Sequence, residues 1–284
     1  MEKLVIGYLY NGRGLSKDEL LFKKIAKKKK IKVVMLNSSQ FFTGMDLKEK
    51  IKECDIIYNS SGDDFVIEIE KTIEELGKKI IDSTKAYYYT EDKWMFFLKC
   101  KKHEIPTPNT ILLSQDIASA KKELREFNEW PVILKRVSGT CGEYVEKADN
   151  IHQVEKIIKN FWKKGSERIP IIAQEYMHSP SYRVTVMGGK IVQTAIKNNH
   201  GWKSTGVYAK KIKRFPINSE IKELTKKIMK FVDINICGID FLKKNDKFIV
   251  LEVNSAPGLD FFECEREKMA KKLIELLINI ARKN

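Results

Sequence analysis

Three oxygen-bearing side chains near the C-terminal end of the chain stand where a strand hairpin would bring them together. Asp240 lies in the apolar run Gly238-Ile239-Asp240-Phe241-Leu242, and Glu252 and Asn254 lie two apart in Val250-Leu251-Glu252-Val253-Asn254. A side-chain period of two puts Glu252 and Asn254 on one face of a strand. Hairpin pairing can set Asp240 across from them. Hard oxygen donors converging on one face suit Mg2+, with phosphate oxygens completing an octahedron. Carboxylates set among Ile, Phe, Leu and Val need a cationic partner, and the alternative to a metal is one of the many lysines.

A second group begins with Lys135, which ends the apolar run Pro131 to Lys135 and precedes the small-residue loop Ser138-Gly139-Thr140-Cys141-Gly142. Glycines let backbone amides approach phosphates closely, and a lysine adds a point charge to the same phosphates. The spacing is not that of a Walker A loop, so a plain flexible turn is the alternative. Gln174-Glu175-Tyr176-Met177 closes another apolar run and could offer backbone donors and acceptors to a purine edge. Lys93, Arg183, Lys197 and Lys203 each sit beside an apolar segment rather than in a lysine run. They gain weight only if the fold makes them converge. The four histidines show no metal spacing, and no GxSxG, HExxH or Cys-His pairing points to a protein nucleophile.

The elements that must position these residues follow from hydrophobic periodicity. Short apolar runs at 4–10, 31–36, 54–58 and 79–82 alternate with helical segments, which predicts a small parallel sheet wrapped by helices over residues 1–90. Residues 91–103 read as a helix, broken by Ile105-Pro106-Thr107-Pro108. Strands are expected at 110–113 and 131–135, with helices carrying Ile117, Ala120, Leu124 and Phe127, and then Ile151, Val154, Ile158 and Phe161, on one face. From residue 171 the pattern turns to strands, at 171–177, 182–187, 190–197 and 207–212, with Gly188-Gly189 as a hairpin turn. After a helix bearing Ile221, Leu224, Ile228 and Phe231 comes a second hairpin, 236–242 with 248–253, around Lys244-Asn245-Asp246. A helix with Met269, Leu273, Leu276, Leu277 and Ile280 closes the chain.

Composition bounds what this can be. In 284 residues, 43% are hydrophobic and 32% charged, enough to bury a core and too apolar for a disordered chain. No apolar run approaches the roughly 18–20 residues of a membrane span, and the first residues lack the pattern of a signal peptide. Five cysteines without CxxC spacing argue for reduced, mostly buried thiols in a cytoplasmic protein rather than a disulfide framework. The 53 Lys and Arg outnumber 38 Asp and Glu, a net charge of +15 that favours acidic partners. A nucleic-acid-binding protein would fit the charge, but no motif or aromatic platform for reading nucleic acid is present.

Taken together, Asp92-Lys93, Ile105-Pro106-Thr107-Pro108, PVILKRVSGTCGEYV, QEYM, YRVTVMGGKIV and GIDFL…LEVNSAPGL resemble the RimK-type group of ATP-grasp carboxylate–amine ligases. The resemblance runs over residues 91–260 in order. It implies an ATP-grasp fold: two α+β subdomains, 91–173 with the glycine loop and 174–284 with the metal site, clasping ATP behind the small N-terminal α/β domain, 1–90. It also implies ATP and Mg2+, or Mn2+ in its place, as cofactors. Asp240, Glu252 and Asn254 match the metal ligands, and Lys93 and Lys135 the lysines on the phosphates. Ser138, Gly139, Thr140 and Gly142 resemble the loop closing over them, and Glu175, Tyr176 and Met177 the hinge that receives adenine. Arg183 matches an arginine at the transferred phosphate. Lys197 and Lys203 stand where relatives tend to carry arginines, so charge is kept and the bidentate fork lost; Thr205 replaces an asparagine.

The implied reaction activates a carboxylate as an acyl phosphate and joins it to an amine, that of glutamate or a similar amino acid. The acceptor is a small acidic molecule or an acidic protein. A sister group joins α-aminoadipate or glutamate to an acidic amino-group carrier protein in lysine or arginine biosynthesis, and an inactive ATP-binding regulator would keep the same fold. The family also forms homodimers and tetramers.

Overall fold

The structure is a computed structural model that describes residues 3–40, 44–139, 142–163, 168–198, 201–203 and 211–283. Its first layer is a parallel sheet ordered β2-β1-β3-β4, made of β1 (Val5–Tyr10), β2 (Lys32–Asn37), β3 (Ile56–Asn59) and β4 (Ile80–Ile81). The connecting helices are α1 (Lys17–Lys28), α2 (Gly44–Ile51) and α3 (Asp64–Glu75). A capping box starts α1: the Ser16 hydroxyl accepts from a first-turn amide and the Glu19 carboxylate accepts from the Ser16 N–H.

Helix α4 (Lys93–Lys102) follows, two residues later than the 91 expected, because the Asp92 carboxylate caps it by accepting from the amides of Trp94 and Met95. The second sheet is antiparallel, ordered β5-β8-β6-β7: β5 (Thr110–Leu112), β6 (Val132–Arg136), β7 (Val145–Ala148) and β8 (Ile171–Glu175). Helices α5 (Ile117–Phe127) and α6 (Ile151–Lys163) cover it, and Leu124, Val154, Ile158 and Phe161 pack against Val132, Leu134 and Ala173. The sequence pattern did not predict β7. Its four residues, Val-Glu-Lys-Ala, form a short polar edge strand that takes its pairing from β6.

The third sheet is antiparallel, ordered β11-β10-β9-β12-β13, from β9 (Ser181–Met187), β10 (Lys190–Asn198), β11 (Lys211–Lys213), β12 (Ile236–Lys244) and β13 (Lys247–Asn254). Of the strand expected at 207–212, the residues 207–210 lie outside those described. Helix α7 (Ser219–Val232) and α4 cover one face through Ile221, Leu224, Ile228, Phe96 and Cys100. Helix α8 (Arg266–Ala281) packs Met269, Leu273, Ile274 and Leu277 against Phe22 and Ile25 of α1, and against Met187 and Ile236. Buried Asp82, next to β4, accepts from the backbone and side-chain amides of Asn235 and from the Ile236 N–H, which ties the first sheet to the third.

Cys54, Cys100 and Cys237 are buried and Cys264 is exposed, all as free thiols. Among the described residues no helix is long and apolar enough to cross a membrane.

Candidate active site

The register of the third sheet builds one row of charges across three strands. Asp240 on β12 stands opposite Glu252 on β13 and opposite Arg183 on β9, and Gly238 stands opposite Asn254. Directly opposed residues share a sheet face, so Arg183, Asp240, Glu252 and Asn254 face the same way. Lys197 on β10 joins them, two residues from the Ala195 that opposes Arg183. Arg183 donates from Nε to Asp240 Oδ1 and from Nη2 to Oδ2, both at 2.5 Å. Lys197 Nζ lies 3.3 Å from Oδ1, and the Asn254 side-chain amide 3.5 Å from Oδ2.

Burial decides the electrostatics. Desolvation alone would raise the Asp240 carboxyl, but the Arg183 guanidinium and then the Lys197 ammonium overcome it and hold it below the usual carboxylate value. Lys197 is 1% exposed, and burial pulls its ammonium below the usual lysine value against the attraction of Asp240. Glu252 is half-buried and makes no hydrogen bond or ion pair with any described residue.

The opposite wall comes from the second sheet and α4. Lys135, at the inner end of β6, is 8% exposed and donates from Nζ to Gln174 Oε1 at 2.7 Å; Gln174 in turn donates to Thr110. Burial lowers the Lys135 ammonium to about 8, with nearby Glu252 raising it and Lys93 lowering it. Lys93, the first residue of α4, donates from Nζ to the Gly139 carbonyl at 2.8 Å. Between the two walls lies a gap of about 10 Å³, bordered by Lys93, Thr107, Lys135, Gln174 and Glu252. That is room for one water. The Thr107 hydroxyl is buried there without a hydrogen-bond partner among the described residues.

Five expected residues thus converge on one face, Arg183, Lys197, Asp240, Glu252 and Asn254, with Lys93 and Lys135 across the gap. Gly139 and Gly142 take φ of +131° and +72°, so the loop runs through backbone conformations that favour glycine. Ser138 precedes them; Thr140 lies outside the described residues. Glu175 ends β8 and bridges Asn109 and Lys244, accepting from the Asn109 N–H at 3.1 Å and from Lys244 Nζ at 2.7 Å. The Tyr176 N–H donates to the Pro131 carbonyl, and Tyr176 and Met177 lead out of the sheet half-buried. Lys203 is placed otherwise: its Nζ stands 3.8 Å from Glu146 on β7 and 5.1 Å from the Trp202 ring. Ser204 and Thr205 lie outside the described residues. Gln174, expected within the segment that meets a purine edge, instead turns its side chain to Lys135, and Thr107 at the gap carries no signal in the sequence pattern.

A profile of the RimK-like ATP-grasp domain matches residues 90–277. The chain belongs to the RimK-like ATP-grasp family. It is 27% identical over 265 residues to the coenzyme gamma-F420-2:alpha-L-glutamate ligase of Methanococcus maripaludis, covering 88% of this chain and 90% of that one. It is also 27% identical over 194 residues to the alpha-aminoadipate–LysW ligase LysX of Saccharolobus solfataricus, covering 65% of this chain and 68% of that one. Among solved structures, a RimK domain ATP-grasp protein from Sphaerobacter thermophilus superposes with a TM-score of 0.78 at 12% identity, covering 96% and 99% of the two chains. The fold is therefore the expected ATP-grasp, and the protein is an ATP-dependent carboxylate–amine ligase.

The ATP-grasp family uses ATP and a divalent metal ion, and the donor set of this ligase can be tested against both. Among the described residues no three His, Cys, Asp or Glu side chains cluster to hold a metal alone. Two carboxylates and an amide do share the face, all of them hard oxygen donors. Glu252 is within electrostatic reach of Lys135, Arg183 and Lys197, and Asn254 turns its Nδ2 to Asp240. Such a set suits an ion whose remaining ligands are phosphate oxygens. The residues fit the ion, with Asp240 shared between it and Arg183.

Proposed function

We propose that this ligase activates a substrate carboxylate with ATP and joins it to the amine of glutamate or a similar amino acid, on an acidic small molecule or an acidic protein. The carboxylate oxygen attacks the γ-phosphorus, the bond from that phosphorus to the β,γ-bridging oxygen breaks, and ADP leaves. The amine then attacks the acyl carbon, the bond to the phosphoryl oxygen breaks, and phosphate departs as the nitrogen sheds a proton. Anion must approach anion in the first step, so positive charge has to meet the developing charge. The observation that carries this reading is that Lys93 and Lys135 border one gap with Glu252 across from them, while Arg183 and Lys197 hold Asp240, the residue opposite Glu252 in the sheet.

In this reading Lys93 and Lys135 hold the triphosphate, and the backbone of Ser138 and Gly139 covers it, together with Thr140 and Gly142. Glu175, Tyr176 and Met177 border the adenine, and Lys203 adds a more distant charge to the nucleotide. Arg183 and Lys197 stabilise the transferred phosphoryl group. Asp240, Glu252 and Asn254 would hold Mg2+, or Mn2+ in its place, and a bound ion there would neutralise phosphate charge. A closed loop keeps water from the acyl phosphate. The units working together are 1–90, 91–173 and 174–284, and the setting is cytoplasmic.

The similarity to LysX and the net charge of +15 support a second reading, in which α-aminoadipate or glutamate is joined to an acidic amino-group carrier protein. Phosphate release with ATP, Mg2+ and paired carboxylates and amino acids, with and without an acidic carrier protein, tests both. Release that requires a carboxylate and an amine together supports the ligase assignment. Release indifferent to either refutes the substrate reading.

A further inference from the structure

Lys93 and Lys135 are held differently from the cations of the third sheet. Arg183 and Lys197 rest on the Asp240 carboxylate. Lys93 Nζ instead donates to the Gly139 carbonyl at 2.8 Å, and Lys135 Nζ to the Gln174 amide oxygen at 2.7 Å. Both acceptors are neutral, and among the described residues neither lysine is ion-paired with a carboxylate.

The register of the second sheet builds the support under Lys135. On β8, Gln174 stands two residues from Ile172, which opposes Lys135 on β6, and directly opposite Thr110 on β5. Opposed residues, and residues two apart on one strand, share a sheet face. Thr110, Gln174 and Lys135 therefore point away from the core under α5 and α6, which takes Ile111, Leu134 and Ala173 from the same strands. All three are buried. The Thr110 hydroxyl donates to the Pro108 carbonyl at 2.9 Å and accepts from Gln174 Nε2 at 3.0 Å. With its one proton committed to Pro108, that hydroxyl can only accept from the glutamine. The amide nitrogen must then face Thr110, and the amide oxygen must face the lysine. An ammonium has three N–H donors. One goes to Gln174, which leaves the others for the gap that Lys135 borders with Lys93 and Glu252.

We propose that Gln174 is a positioning residue for Lys135: a neutral acceptor, oriented by Thr110, that anchors the ammonium and leaves its full charge to the nucleotide phosphates. The inference rests on the ligase reading, in which Lys135 holds the triphosphate. A carboxylate in place of the amide would hold the same nitrogen, but it would neutralise the charge in a low-dielectric site and repel the phosphates. An apolar side chain would leave a buried ammonium without its acceptor, which costs more than the net worth of the hydrogen bond.

Calorimetric titration of the full chain with ATP at pH 7, beside melting temperatures, tests the assignment. Gln174→Met keeps the length and loses the acceptor, and ATP should bind about five- to tenfold more weakly. Gln174→Glu restores an acceptor, yet ATP should still bind about tenfold or more weakly. A side chain that only fills space and accepts a hydrogen bond would be rescued by that variant. Thr110→Val lets the amide turn and should cost about two- to threefold, which keeps the test open if Gln174→Met melts too low to titrate. In a Lys135→Met background, Gln174→Met should cost no further affinity, since the group it positions is gone. A purely structural role would weaken binding equally in both backgrounds. Wild-type affinity in either Gln174 variant, or the same loss with and without Lys135, overturns the inference and leaves the ligase reading intact. A wild-type chain that binds no ATP overturns the ligase reading, and this inference with it.

Discussion

Arg183 lies against Gly238 so closely that a β-carbon built on the glycine would come within 2.6 Å of Arg183 Nη1 and 2.9 Å of its Cδ. The glycine is thus the floor on which the guanidinium rests while it holds Asp240. Gly238→Ala should push Arg183 off the row, since real side-chain carbons do not approach so near. We expect ligase turnover to fall by about 10- to 100-fold, the loss of one preorganised charge contact at the transferred phosphoryl. Steady-state phosphate release measures it, and wild-type turnover in this variant would refute the role given to Arg183.

Asp240 neutralises two buried cations, so its removal leaves both uncompensated. Asp240→Asn should destabilise the protein by about 3–5 kcal/mol, the range for breaking one side of a buried ion pair. Because the native carboxyl lies below its unfolded value of 3.8, its contribution is present above that value. It disappears as pH falls through the native value. Chemical denaturation at pH 7 and again in acid should show the gap between wild type and variant closing as the acid is approached. A gap that does not change with pH would contradict the ion-pair account.

How much of this was legible in the sequence depends on which force carried the information. The period of two puts Glu252 and Asn254 on one face, and the hairpin turn at Asn245 and Asp246, both at positive φ, sets the pairing from Lys244–Lys247 to Phe241–Val250. The register shift beyond Phe241 that brings Glu252 opposite Asp240 has no signal in the local pattern. The strand at β7 has no hydrophobic period and exists only because β6 offers it an edge, so local pattern could not reveal it. Nor could spacing reveal that Arg183 and Lys197 both converge on Asp240, since they come 57 and 43 residues before it in the chain. Lys203 shows the same limit. The family resemblance assigns it to the nucleotide, while the structure pairs it with Glu146 on β7 at 3.8 Å.

Glu252 is the donor least committed to the protein. Glu252→Gln should therefore change stability by no more than about 1 kcal/mol, since the half-buried carboxylate meets Lys135, Arg183 and Lys197 only through longer-range attraction. Metal-dependent turnover should be lost even at high magnesium. Thermal melting and phosphate release across a magnesium series check the two halves together. A fully active variant would remove Glu252 from the proposed metal set.

Lys135 supplies the clearest pH signature. Burial brings its native value down to about 8 from an unfolded value of 10.5, so the folded state prefers the neutral amine. Between about pH 8 and 10.5 the unfolded chain binds a proton that the folded chain does not, and stability should rise with pH across that window. Nucleotide binding should run the other way. A triphosphate needs the ammonium and restores its proton, so ATP affinity should be highest below pH 8 and fall as the amine deprotonates. Lys135→Met keeps the buried stem without the charge. It should abolish the pH dependence in both measurements and weaken ATP binding by about tenfold or more at pH 7, roughly the worth of one charge-assisted contact. Titration of ATP by calorimetry at pH 7 and pH 9.5, beside denaturation at the same two values, separates the effects. An ATP affinity in wild type that does not change between them would deny Lys135 its place on the phosphates.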